Sequence, residues 1–192
     1  MTWCIYLTHP EVEVDPNIPV PQWGLSTVGH ARAEQATALP FTKEIGAIVS
    51  SGETKAIETA RYFADKLSLE PRIREDLHEN DRSATGFLPP DEFEQTADRF
   101  FADPKTSVRG WERAIDAQHR IVGGIQAVLS GIDPDLPVLF TGHGAAGTLL
   151  MCHLMGVSIS RSHDQTRGGS WYRFEKDWLT TGAGQDLRWI EV

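Results

Sequence analysis

Cysteine is scarce in this chain, and what is missing alongside it narrows the field before any motif is considered. Only two cysteines occur among 192 residues. Cys4 falls in an apolar run and Cys152 in a helix-forming one, which is how small buried hydrophobes are used in a reducing compartment. A disulfide framework and a cysteine-based metal site are both excluded. No segment approaches the ~18 consecutive apolar residues of a membrane-spanning helix, and the N-terminus has no basic stretch ahead of a long apolar one, so the expected location is the cytoplasm. Positive charge is in deficit as well: 18 Lys and Arg face 27 Asp and Glu, a formal net charge of −9. That balance opposes nucleic acid and anionic membrane as partners, because both demand a basic surface. A small anionic substrate stays open, since a few cations and backbone amides converging in a cleft outweigh a diffuse charge that salt screens over about 8 Å. Internal repeats and long linkers are absent, and with 40% hydrophobic residues the chain, 1–192, reads as a single domain with a real core.

What is present begins with Trp3-Cys4-Ile5-Tyr6-Leu7-Thr8-His9-Pro10, a short apolar run that delivers a histidine where it stops. Val138-Leu139-Phe140-Thr141-Gly142-His143-Gly144 repeats the arrangement and leads into the helix-forming run Ala145 to Met155. Both runs read as buried strands, and open α/β sheets bind ligands at the carboxyl ends of their strands. Between them, Ser26 caps a helix from Thr27 to Leu39, Ile45 to Val49 forms a strand ending in Ser50-Ser51-Gly52, and Glu53 to Leu67 forms a helix. Pro89-Pro90 starts a helix through Phe101, and Trp111 to Leu129 forms a longer one interrupted at Gly123-Gly124. These two helices, over about 80–130, are expected as an insertion roofing a pocket. The tail, Trp171 to Glu175 and Leu187 to Val192, alternates like an antiparallel strand pair. The fold class is therefore α/β: three layers, α/β/α, around a mostly parallel central sheet with an antiparallel pair at its C-terminal edge.

Three further stretches join the two histidines in a recognisable order: Leu25-Ser26-Thr27-Val28-Gly29, Ser50 to Ala60, and Leu77-His78-Glu79. This order resembles the histidine phosphatase superfamily, which includes cofactor-dependent phosphoglycerate mutases and many small phosphatases, and the likeness covers nearly the whole chain. Members usually carry Arg-His-Gly at the first strand end, Ser-Ser-x-x-x-Arg-Ala-x-x-Thr-Ala at the second, and a later Leu-x-Glu and His-Gly. The second element is the most specific here, with Ser50-Ser51, Lys55-Ala56 and Thr59-Ala60 at the family spacing. The resemblance implies His9, Glu79 and His143 as catalytic residues, and puts Lys55 and Thr8 at phosphate-binding positions, with no metal and no cofactor; Arg82 joins the phosphate-binding candidates by its closeness to Glu79.

Phosphoryl transfer spreads charge over equatorial oxygens while nucleophile and leaving oxygen lie in line, and each residue type answers one part of that demand. On this resemblance a neutral His9 would attack phosphorus and hold the group as phosphohistidine, a protonated His143 and Lys55 would donate to its oxygens, and Glu79 would protonate the leaving oxygen and then activate water. Two family arginines are missing, because Thr8 and Lys55 occupy their places and lack the planar fork that grips two oxygens at once. Pro10 also removes a backbone N–H. Arg82, three residues beyond Glu79, is the leading candidate to compensate, with Arg161 and Arg167, flanking His163, behind it. Glu53 reads as a residue suited to the helix dipole and without a catalytic role. The expected function is a metal-independent phosphomonoesterase acting on a small phosphorylated molecule. A binding protein that holds a phosphorylated ligand without turnover is the alternative, and a phosphomutase a third. Zinc hydrolysis through His9, Glu79 and His143 lacks the His-Glu-x-x-His pattern that would fix two ligands on one helix.

Overall fold

The computed structural model describes residues 2–192. The strands are β1 (Trp3–Thr8), β2 (Ala47–Ser51), β3 (Arg72–Arg74), β4 (Val138–Gly142), β5 (Ser170–Glu175) and β6 (Ile190–Glu191). The helices are α1 (Thr27–Ala36), α2 (Thr54–Leu67), α3 (Pro90–Ala102), α4 (Ala114–Ser130), α5 (Gly144–Leu154) and the short α6 (Trp178–Thr181). One sheet runs in the order β3-β2-β4-β1-β5-β6. Its first four strands are parallel and its last two antiparallel, as the alternating pattern and the tail predict. Among the described residues no helix is long and apolar enough to cross a membrane.

The three layers follow from strand periodicity, because successive side chains point to opposite faces. On one face Ile5, Leu7, Ile48 and Leu139 pack with Ala36 of α1 and with Ala60 and Phe63 of α2. On the other, Cys4, Tyr6, Val49, Val138 and Phe140 pack with Ile121 and Ile125 of α4 and Leu150 and Met151 of α5. Every residue of β1 is buried, as the uninterrupted apolar run requires of a central strand. Ser26 caps α1 by accepting the Gly29 amide at 3.0 Å. That helix stops at Ala36, three residues short of the expected end, as the chain turns toward Pro40.

The expected insertion over 80–130 resolves into two parts. α4 belongs to the sheet's own layer, with Ile121, Ile125 and Val128 in the core cluster. It is also continuous through Gly123-Gly124. A side chain at Gly124 would meet Leu77 Cδ2 at 2.7 Å, so the glycine admits the segment leading to Glu79 rather than breaking the helix. The remaining cover comes from α3 and its flanks, where Leu88, Phe100, Phe101 and Trp111 form a small cluster against Ala114, Ala117 and Leu149.

The structure corrects the assignment of Thr8 to phosphate binding. Its side chain is fully buried, and its hydroxyl donates to Gln165 Oε1 at 2.7 Å while accepting the Gly169 and Ser170 amides, each at 3.0 Å. One donor and two lone pairs are thereby used, leaving nothing for a ligand. Where the family carries a phosphate-gripping arginine, this chain ties the end of β1 to the 165–170 loop.

Thr8→Val is therefore expected to lower stability by about 1–3 kcal/mol in urea unfolding, by removing the hydroxyl that accepts the buried Ser170 amide and shares the Gly169 amide with the His9 carbonyl. A stability change near zero would return Thr8 to the list of free groups. Ile125→Ala should cost about 2–5 kcal/mol if α4 is core, whereas a detachable roof helix would lose far less.

Candidate active site

β1 and β4 are paired in register, Thr8 opposite Gly142, so their next residues emerge side by side. The His9 amide donates to the Gly142 carbonyl at 2.9 Å, and the His9 and His143 rings lie 5.4 Å apart, centroid to centroid, at 66°. The β2–β4 register places Ser50 opposite Thr141, which brings the Ser51-Gly52-Glu53 turn to the same edge. The two strand-end histidines thus lie side by side at one edge of the sheet.

His9 Nδ1 lies 2.8 Å from the Pro10 carbonyl. A carbonyl only accepts, so this nitrogen carries the hydrogen and Nε2 keeps a free lone pair. Burial, with the Lys55 ammonium nearby, pulls the His9 pKa down to about 4. The ring is therefore neutral at neutral pH, with Nε2 unprotonated.

His143 is fully buried. Its backbone is held by Tyr6, whose hydroxyl accepts the His143 amide at 3.1 Å, and Gly142 leaves room for that hydroxyl, which a side chain there would meet at 2.3 Å. The ring's Nε2 lies 2.8 Å from Ser51 Oγ and 3.5 Å from Glu53 Oε1, while Nδ1 has no hydrogen-bond partner. Burial drives the His143 pKa well below its ordinary value, against the opposing pull of Glu53.

Glu79 reaches the same edge from the segment after β3. Its carboxyl accepts the Ala145 and Ala146 amides at 3.1 and 2.8 Å, so it occupies the N-terminus of α5 as an anion would. Burial nevertheless raises its pKa, with Arg82 opposing and Glu53 reinforcing the shift. The backbone beneath it is clamped by Arg120 of α4, which donates to the carbonyls of Asp76, His78 and Glu79 at 3.1, 2.9 and 3.2 Å and is itself paired with Glu112.

Lys55, in the first turn of α2, is 3% exposed. Its ammonium is paired with Glu53 and donates to the Val20 carbonyl at 2.9 Å, so one of its three hydrogens is left for a ligand. Arg82 stands over the Phe93 and Trp111 rings at 5.1 and 5.7 Å and has no ion-pair partner among the described residues. Arg161 and Arg167 are excluded as compensating cations: the first is bound to Glu94 and Asp98, each at 2.5 Å, and the second to Glu191 at 2.9 Å. His163 bonds through its backbone, its carbonyl accepting from Trp189 Nε1 at 3.0 Å and its amide donating to the Ser160 carbonyl.

A cavity of about 920 Å³ opens beside these groups, bordered by Glu53, Glu79 and Arg82 and walled by Pro19, Val20 and Pro21. Its lining includes His78 but neither His9 nor His143, so it lies next to the paired strand-end histidines rather than over them. Glu53 and Arg120 are the functional groups that sequence reasoning missed. A buried carboxylate between Ser51 and Lys55 was visible only as a helix-start acid, and Arg120 acts on backbone carbonyls more than forty positions away.

Known structures share this arrangement of strands and helices. A mycobacterial glucosyl-3-phosphoglycerate phosphatase superposes with a TM-score of 0.78 at 19% identity, over 99% of this chain and 96% of that one. Phosphoserine phosphatase from Entamoeba histolytica, in complex with 3-phosphoglyceric acid, gives 0.72 at 15% over 91% and 90%. YhfR from Bacillus stearothermophilus gives 0.74 at 21% over 90% of each chain. At such identities the likeness is one of fold. Among curated proteins none matches the sequence significantly. The sequence profile of the histidine phosphatase superfamily (branch 1) matches residues 17–177, a span that starts beyond Thr8-His9-Pro10. On that match, which takes in most of its length, the chain belongs to the histidine phosphatase superfamily.

Proposed function

We propose that the protein is a phosphomonoesterase that works through a phosphohistidine on His9, without a metal or organic cofactor, on a small phosphorylated molecule in the cytoplasm. The observation that carries this reading is the bare Nε2 of a neutral His9 facing His143 across 5.4 Å, with the Glu79 carboxyl at the same edge. His9 Nε2 attacks phosphorus and the ester P–O bond breaks. The leaving oxygen takes a proton from Glu79. Water, losing its proton to Glu79, then cleaves the P–N bond and frees phosphate. Lys55, Arg82 and His143 donate to the phosphoryl oxygens.

A protein that only binds phosphate has no use for an unprotonated nucleophile or for a carboxyl whose pKa burial raises, which favours the enzyme over the binding alternative. The 920 Å³ cavity is assigned to the alcohol part of the substrate. Glu75, Asp76 and Asp81 border it, so a carboxylate-bearing alcohol such as that of 3-phosphoglyceric acid meets repulsion there. The side-chain nitrogen of Asn80, buried in the cavity wall without a partner, suits a neutral alcohol's oxygens.

Initial rates in the presence of a chelator test this. Glu79→Gln is expected to slow hydrolysis of glycerol phosphate by about a hundredfold or more and of nitrophenyl phosphate far less, because a good leaving group needs little protonation. Arg82→Ala should weaken phosphate inhibition about tenfold, as loss of one charged hydrogen bond implies. Glycerol phosphate should also have a higher kcat/KM than 3-phosphoglycerate. Equal losses on both leaving groups would remove Glu79 from the role of acid.

A further inference from the structure

Glu53 lies among the groups that the proposed reaction uses, yet takes no part in its bond-making. At 7% exposure it is no solvated helix-start acid. One carboxylate oxygen pairs with the Lys55 ammonium; the other accepts the Glu79 amide at 2.9 Å and faces His143 Nε2 at 3.5 Å. A single buried side chain therefore touches a phosphate-binding cation, the backbone of the acid and the second histidine. Glu53 stays ionised there: burial pushes its pKa up, but His143, Lys55 and the Glu79 amide outweigh burial and bring it to about 2.

We propose that Glu53 is a positioning residue that holds Glu79 in place through its backbone amide and supplies the counter-charge on which His143 becomes an imidazolium when a phosphoryl group enters. For its consequence in turnover the inference rests on the phosphatase reading. His143 is faced by His9 from the end of β1, Ser51 and Glu53 from the turn after β2, Lys55 from α2, and Arg82 from the segment after β3. In the empty site, burial, His9, Lys55 and Arg82 all oppose a charge on the ring, and Glu53 pulls the other way. An entering phosphoryl group adds negative charge and gives the unpartnered Nδ1 an acceptor. With an anion at each nitrogen, the ring takes a proton from solvent and donates from both sides.

The test is a titration of ¹⁵N-histidine-labelled protein, with the His143 signal assigned by its loss in His143→Gln, without and with saturating inorganic phosphate. In the wild type His143 is expected to be neutral at pH 7 when the site is empty and an imidazolium when phosphate is bound. Glu53→Gln, which keeps an acceptor for the Glu79 amide but removes the charge, should lower the phosphate-bound His143 pKa by at least one unit, with Glu53→Asp closer to the wild type. On nitrophenyl phosphate the same variant should lose tenfold or more in kcat with KM within threefold, and Glu53→Asp should recover part of the loss. A His143 that stays neutral in phosphate-saturated wild type overturns the proposal, and that arm needs no variant to fold. So does a folded Glu53→Gln whose titration matches the wild type. The titration reads Glu53 even without turnover, so a failure of the phosphatase reading and a failure of this inference are told apart.

Discussion

Two parallel strands ending at the same level are the constraint on which the site depends. With Thr8 opposite Gly142, His9 and His143 have no choice but to emerge as neighbours, and the Ser50–Thr141 pairing brings Glu53 and the start of α2 to them. That register is protected by the core. A slip of one residue would move Tyr6 toward the α1/α2 layer and Leu7 toward α4 and α5, exchanging two well-packed faces at once. The apolar pattern of β1 and β4 thus fixes the placement of His9 and His143 as a by-product of filling the core.

Charge at this edge is set by burial as well as by cations. Lys55 is tied to Glu53, whereas Arg82 has no ion-pair partner among the described residues. Burial acts in two directions: it pulls the His9 pKa down to about 4 and pushes that of Glu79 up. Both effects come from the same exclusion of water, which also strengthens each remaining hydrogen bond. The clamp of Arg120 on three carbonyls, and Gly124 beneath Leu77, keep the Glu79 segment from relaxing outward.

The strand-end histidines were legible because an apolar run with a sharp end carries its own evidence of burial and direction. The layer order and the antiparallel edge were legible for the same reason. Glu79 and Lys55 drew their significance from motif order, and Arg82 from its closeness to Glu79 along the chain. Other features depend on contacts that local patterns do not encode. The Glu53 bond to the Glu79 amide spans 26 positions, and nothing near Glu53 distinguishes it from a dipole-stabilising acid. Thr8 was misassigned because its position in the motif suggested a ligand, while its partners come from the 165–170 loop. The Gly123-Gly124 pair suggested a break because composition alone cannot show that Leu77 needs the space.

The central claim is that His9 Nε2 is the atom that receives the phosphoryl group. Rapid acid-free quenching of the protein during turnover of a phosphomonoester, followed by mass spectrometry of its peptides, reads this directly. The account predicts an acid-labile phosphoryl group on the peptide containing His9, attached to the imidazole and absent from His9→Ala. A phosphoryl group on any other side chain, or turnover that persists in His9→Ala, would contradict it.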